Sequence, residues 1–259
     1  MDPRVPTWAP SLAGRLADAV RPILSGYYRQ GLLVDGKLDH SPVTNADREA
    51  EAAIRSILST EVPDHGVIGE EHGVDRGDAE YVWAIDPLDG TRAFVSGKPQ
   101  FGSLIALCHK GSPIVGVIDM PILRERWVGV LGVGTTLNGI PQRTRAAVDL
   151  REARMGCTTL EMFTEPRAIA SFNKLRAQVH DCNFGGDCYN YAVLASGFLD
   201  IVLETSLKPW DFAAIVPVIL AAGGSITDWQ GRPLLLTSPG DVIASSDSAL
   251  HRQVLPFLK

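Results

Sequence analysis

The stretch from residue 101 to 142 limits the possible folds more than any other part of this chain. FGSLIALCHKGSPIVGVIDMP (101–121) is two apolar runs broken at KGSP, and RWVGVLGVGTTLNGIPQ (126–142) reads as a second pair broken at Asn138-Gly139. Short apolar runs bounded by turn residues are strands, and Asn-Gly is a strong hairpin signal. Two further runs stand upstream, GVIGEE (66–71) and YVWAID (81–86), and both end in acids. The first half of the chain is therefore expected to carry a hairpin-rich sheet.

Helices flank it. From Ser11 to Tyr28, apolar residues recur at Leu12, Leu16, Val20, Ile23, Leu24 and Tyr27, with Pro22 as a possible kink. Residues 44–60 repeat the pattern, with Thr44 or Asn45 as a cap and Asp47 and Glu49 in the first turn. After residue 145 the pattern turns to alternation: helices over 165–178 and 187–196, a strand LDIVLE (199–204), a helix opened by Asp211 and stopped at Gly223-Gly224, strands SITDW and DVIASS, and a last helix over 248–257. Hairpins followed by alternation predict a mixed α/β chain of two packed halves, 1–145 and 146–259.

Composition narrows function by exclusion. At 259 residues with 45% apolar and 21% charged content, the chain can bury a core without staples. A formal charge of −6 leaves no basic footprint for nucleic acid or an anionic membrane surface. An anionic small molecule stays open, because a bound divalent cation reverses the local field. No apolar run approaches the ~20 residues of a membrane span. The four cysteines, at 108, 157, 182 and 188, show no zinc spacing, and MDPRVPTWAP is unlike a signal peptide, so the expected compartment is the cytoplasm.

The chemistry is expected where elements end. Asp47, Glu70, Asp86, Asp89 and Asp211 each stand at the start or stop of a predicted element. Taken singly each has an ordinary reading: Asp47 as a first-turn acid, Glu70 as a solvated strand end, Asp86 and Asp89 as turn formers, Asp211 as an N-cap. Gathered in one crevice they would repel one another unless cations sat among them, and hard carboxylate oxygens suit Mg2+. In WAIDPLDGTRAF (83–94), Pro87 fixes the backbone, Gly90 allows close approach and Thr91 brings a hydroxyl to a helix start, the usual place for phosphate.

DPLDGT (86–91), with the Glu70-Glu71 pair upstream and PWDFAA (209–214) downstream, resembles the inositol monophosphatase family. SPVTNAD (41–47), GEEHG (69–73), NGIP (138–141) and AAGG (221–224) extend the resemblance over nearly the whole chain. It implies a layered α/β sandwich of alternating helices and sheets, a homodimer, and hydrolysis of a phosphate monoester with two or three Mg2+ ions. On that resemblance Glu70, Asp86, the Leu88 carbonyl, Asp89 and Asp211 are metal ligands, and Gly90 and Thr91 bind phosphate. Asp47 would hydrogen-bond the Thr91 hydroxyl, and Glu70 with Thr91 would orient the attacking water.

The leaving group must be read elsewhere, in FGGDCYNYAVLASGFLDIVLE (184–204). GGDCYNYAVLASG followed by LKPWD looks like the histidinol-phosphate phosphatase branch. A cationic amine wants a carboxylate, which Asp187 and Glu204 supply, with Asp211 leaning toward substrate as well. Asp187 as a plain helix N-cap is the competing reading, and inositol or a broad range of sugar alcohols is the competing substrate class. The G-x-G of GVGTTLNG lacks the context of a dinucleotide fingerprint and reads as hairpin glycine. Lys37 matches a lysine position near the metal loop, and Arg92 reads as surface.

Overall fold

The computed structural model describes residues 2, 4–30, 34–36, 42–146 and 149–258. Lys37, expected near the metal loop, lies outside the described residues.

Helix α1 (Ala9–Tyr27) turns Leu12, Leu16, Val20 and Leu24 inward at helical spacing. A small antiparallel pair, β1 (Val34–Gly36) and β2 (Pro42–Thr44), leads into α2 (Asn45–Glu61), which buries Ala46, Asp47, Ala50, Glu51, Ile54 and Leu58. There follow β3 (Gly66–Gly69), β4 (Gly73–Asp75), β5 (Tyr81–Asp89), the short α3 (Thr91–Val95), β6 (Gly102–His109), β7 (Ser112–Met120), β8 (Glu125–Val130), β9 (Gly134–Leu137) and β10 (Ile140–Gln142). Strands β3 to β10 form one sheet in the order β10-β9-β8-β7-β6-β5-β3-β4, antiparallel except for β3 beside β5. The expected strand pair in 126–142 is three strands: Asn138-Gly139 turns β9 into β10, and the chain has already reversed once between β8 and β9.

The second sheet is built from β11 (Arg154–Cys157), β12 (Asp181–Phe184), β13 (Ile201–Glu204), β14 (Ser225–Thr227) and β15 (Val242–Ser245), in the order β12-β11-β13-β15-β14. Its helices are α4 (Pro166–Arg176), α5 (Cys188–Ala195), α6 (Pro209–Ala213), α7 (Ile215–Ala221) and α8 (Ser248–Val254). The single helix expected from Asp211 onward is two, α6 and α7, and Asp211 is its third residue rather than its cap.

Strand alternation sorts the core into layers. Trp83, Ile85, Ile105 and Leu107 pack with α1 and α2 on one face of the large sheet. Ala84, Leu104, Ala106 and Ile118 face the other way, against α5, α6 and α7. The same cluster takes Val202, Val242 and Ala244 from the second sheet, whose opposite face, Ile201, Leu203 and Ile243, packs with α4 and α8. The result is helix, sheet, helix, sheet, helix. The middle helices approach the large sheet closely: a Cβ on Gly116 would overlap the Ala214 carbonyl, and one on Gly129 the Val218 backbone. Only glycine admits that contact, which brings the junction of α6 and α7 down onto β7 and β8. Among the described residues no helix is long and apolar enough to cross a membrane.

Candidate active site

The end of β5 is irregular. In a regular strand, residues three apart face opposite sides of the sheet. Here Asp86 pairs with Leu104 and Asp89 with Gly102, so three steps along β5 match two along β6. This bulge turns Asp86 and Asp89 toward the same crevice. The loop is held by local bonds: Leu88 N–H donates to Asp86 Oδ1 at 2.9 Å, and Ser103 Oγ donates to the Pro87 carbonyl at 2.8 Å. Gly90 then takes φ 83°, a left-handed conformation, and Thr91 starts α3.

Four other elements bring acids to this point. Glu70 follows β3, its backbone N–H bonded to the Ile85 carbonyl at 3.3 Å. Asp211 comes from the first turn of α6 and accepts the Lys208 N–H at 2.7 Å. Asp187 and Glu204 come from the start of α5 and the end of β13. A pocket of about 100 Å³ is lined by Asp89, Asp187, Glu204 and Asp211 with Thr158 and Met162.

Burial and mutual repulsion dominate the electrostatics. Burial raises the Asp86 carboxyl well above the usual range, and the charges of Glu70, Asp89 and Asp211 add to it. Asp211 is likewise raised by burial, then by Asp89, Glu70 and Glu204. Asp89 is raised by burial, against hydrogen bonds from Cys188 that favour its charged form. Asp187 is pushed up to about 8 by burial, Asp89 and Glu204, with Lys98 and Arg92 pulling it back. A set of carboxylates this crowded holds its charge cheaply only against a cation.

The donor set is oxygen throughout, four carboxylates and the Leu88 carbonyl, which fits a hard divalent cation such as Mg2+. Among the described residues, no three His, Cys, Asp or Glu side chains stand as a closed metal-holding cluster. Asp86, Asp89 and Asp211 each accept a backbone N–H, from Leu88, Cys188 and Lys208 respectively.

The Thr91 hydroxyl donates to the Leu88 carbonyl at 3.0 Å, a bond back across three residues common for threonine at a helix start. Asp47 itself is buried in α2. Asp187 occupies the N-cap position of α5, but its side chain makes no capping bond. Its backbone sits at φ 47°, ψ −133°, a conformation costly for a residue with a side chain. The loop before it is secured by Asn190, whose Nδ2 donates to the Gly185 carbonyl at 2.9 Å. The Asp187 carboxylate lies against Gly90 instead, so the start of α5 and the end of β5 meet there.

Glu204 is fully engaged. Oε1 accepts the N–H and hydroxyl of Thr158 at 3.1 and 2.6 Å, and Oε2 accepts the Tyr191 hydroxyl at 3.0 Å. Burial raises its carboxyl to about 7 against those bonds. Thr158, Met162 and Lys98 carried no signal in the sequence; they reach the site only through long-range packing. Arg92, read as surface, is exposed and paired with Glu161 at 2.9 Å, beside the pocket's Met162.

Comparisons with known proteins show the family and the fold. A sequence profile of the inositol monophosphatase family matches residues 11–258. The chain is 44% identical over 258 residues to the bifunctional phosphatase IMPL2 of Arabidopsis thaliana, covering 96% of this chain and 74% of that one. It is 34% identical to a histidinol-phosphatase of Chlorobaculum parvum, covering 94% of each. A structure of an inositol monophosphatase from Zymomonas mobilis superposes with a TM-score of 0.90 at 44% identity, over 98% of this chain and 99% of that one. Layered fold, bulged acidic strand end and matching relatives together make this chain a phosphatase of the inositol monophosphatase family.

Proposed function

We propose that the chain is a Mg2+-dependent phosphomonoesterase whose preferred substrate is L-histidinol phosphate, acting in histidine biosynthesis. The observation that carries this reading is Asp187. It holds a strained N-cap position without capping, and its carboxylate feels Lys98 and Arg92 only as charges at a distance, Arg92 being paired with Glu161. A carboxylate beside the phosphate-binding Gly90 needs a cationic partner on the substrate, and an ammonium on the alcohol supplies one. A polyol offers only hydroxyls. The name of the Chlorobaculum parvum relative supports the same choice.

In this reading Gly90, which has no side chain, and the Thr91 hydroxyl receive the phosphate oxygens. Glu70 orients the attacking water. Glu70, Asp86, the Leu88 carbonyl, Asp89 and Asp211 would hold Mg2+, whose charge would offset that of the phosphate and acidify a bound water. Asp187 takes the ammonium of the leaving alcohol. Glu204, already bonded to Thr158 and Tyr191, acts on substrate by holding the pocket wall and adding negative potential, which shifts its expected role from direct contact to support.

The second reading is an inositol or broad sugar-alcohol monophosphatase, favoured by the likeness to the Zymomonas mobilis structure. Phosphate release with Mg2+ separates the two, comparing L-histidinol phosphate and myo-inositol 1-phosphate at matched concentrations. A strong preference for the amine-bearing ester is expected. Equal or inverted rates would return Asp187 to a structural role.

A further inference from the structure

Glu51 is a fully buried carboxylate that the chemistry above does not use. It stands one helical turn after Asp47 on α2, on the buried face. Its side chain reaches the turn between β3 and β4. Oε2 accepts the Glu71 N–H at 2.7 Å, and Oε1 accepts the His72 N–H at 3.2 Å and Arg55 Nε at 2.7 Å. Arg55 also donates to the Gly73 carbonyl. The fit is tight, since a Cβ on Gly69 would overlap the carboxylate.

Glu70 is thereby fixed from two sides. Its own N–H is tied to Ile85 of β5, and the next two N–H groups along the chain are tied to Glu51. Three donors converge on two oxygens, so the position demands a group that only accepts. A glutamine of the same shape would turn an NH2 against at least one of those donors. The donors, the missing Cβ at Gly69 and the burial agree on one requirement, a carboxylate held still beneath the turn that carries Glu70.

We infer that Glu51, clamped by Arg55, is a positioning residue that sets Glu70 for its work with the metal and the attacking water. The inference rests on the site being the metal-assisted phosphatase proposed above. Outer partners of metal-holding carboxylates typically change affinity or turnover by about 10- to 100-fold when removed.

The test is Glu51→Gln, read in three ways. In metal-free protein, amide hydrogen exchange at residues 70–73 is expected to speed up about tenfold or more, with the rest of β3, β5 and α2 unchanged. Calorimetric Mg2+ binding should weaken about tenfold, and kcat should fall with little change in KM. Glu51→Asp, which keeps an acceptor but shortens the reach, should lie between Gln and the parent. If Glu51→Gln does not accumulate folded, Arg55→Met, from the rim of the same clamp, is read against the same expectations. Unchanged exchange at 70–73, a uniform loss of protection across the domain, or parental Mg2+ affinity in a folded variant would each overturn the assignment. The exchange readout needs no substrate. Local loosening in a protein that releases no phosphate from any ester would therefore refute the proposed function and leave the clamp standing.

Discussion

The carboxyl carbon of Asp187 stands 3.2 Å from where a Cβ on Gly90 would lie. The two residues are 97 positions apart in sequence, on different sheets' connections, yet they meet at the crevice that Asp187 and the preceding Asp89 line together. Gly90 also has φ 83° and faces the Gln100 carbonyl at the same 3.2 Å. Gly90→Ala therefore meets both a strained backbone and a crowded Cβ. It is expected to cost about 1–3 kcal/mol of stability and at least about 100-fold in kcat, because the phosphate-binding backbone and Asp187 are displaced together. Denaturant melts and steady-state kinetics check it, and a variant that keeps parental kcat would separate Gly90 from the phosphate.

Asp187→Asn should act on substrate choice and on stability in opposite directions. It is expected to raise KM for L-histidinol phosphate about tenfold or more while changing turnover of an uncharged ester little. The sign of the stability effect follows from the raised carboxyl. With a folded value of about 8, Asp187 favours folding below its ordinary range near 4 and loses that contribution as pH rises through 8. Metal-free Asp187→Asn should thus gain stability over its parent at pH 8.5 and gain little at pH 4. Melting temperatures in chelator at the two pH values decide it, and a variant equally destabilised at both would mean the carboxylate is already paired.

How far the sequence reveals this site depends on how local each contact is. The DPLDGT turn is legible because its acids, proline and glycine act on one another within six residues, and the bulge only completes what that spacing implies. The mixed α/β class is legible in the switch from hairpins to helix–strand alternation, while the layering comes only from the family resemblance. Glu51 is different: as an apolar-face residue of α2 it looks like a helix acid at the wrong phase, and its partners Glu71 and His72 lie 20 and 21 residues away. The same holds for Thr158, 46 residues from Glu204. Strands β11 and β12 escape for another reason. RMGC and DCNF are only four residues each, too short for their alternation to stand out, and β12 is largely exposed at the sheet's edge. Periodicity gives the face a residue occupies but not the partner it meets there.

His251 links α8 to the second sheet and sets a pH dependence of its own. Its ring nitrogens pair with the hydroxyls of Thr227 at 2.9 Å and Ser245 at 3.0 Å, and burial lowers its value to about 4. The unfolded chain binds the proton more readily, near 6.5, so stability is fully present above that and falls as pH drops toward 4. The expected loss between pH 7 and pH 5 is about 2 kcal/mol. Urea titrations at the two pH values should show this difference in the parent and lose it in His251→Asn. A variant with the same pH slope as the parent would assign the slope to other groups.

Cation binding should release protons. Burial and mutual repulsion raise Asp86, Asp89 and Asp211 together, so the metal-free site keeps protons to higher pH than bulk carboxylates do. A divalent cation must displace them, and its apparent affinity must then rise with pH. Calorimetric titration of Mg2+ at pH 7 in two buffers of different ionisation heat should therefore give different enthalpies, the difference measuring protons released. Asp86→Asn removes the acid on which Glu70, Asp89 and Asp211 all act. Its Oδ1 can still accept the Leu88 N–H, so the loop should persist. This variant should bind Mg2+ at least about tenfold more weakly, release fewer protons and hydrolyse no phosphate ester at a measurable rate. It should nonetheless be more stable than the parent in chelator at pH 8, since one buried charge is gone. Identical enthalpies in the two buffers would mean the acids are already ionised without the cation, and the repulsion argument for the site would fail.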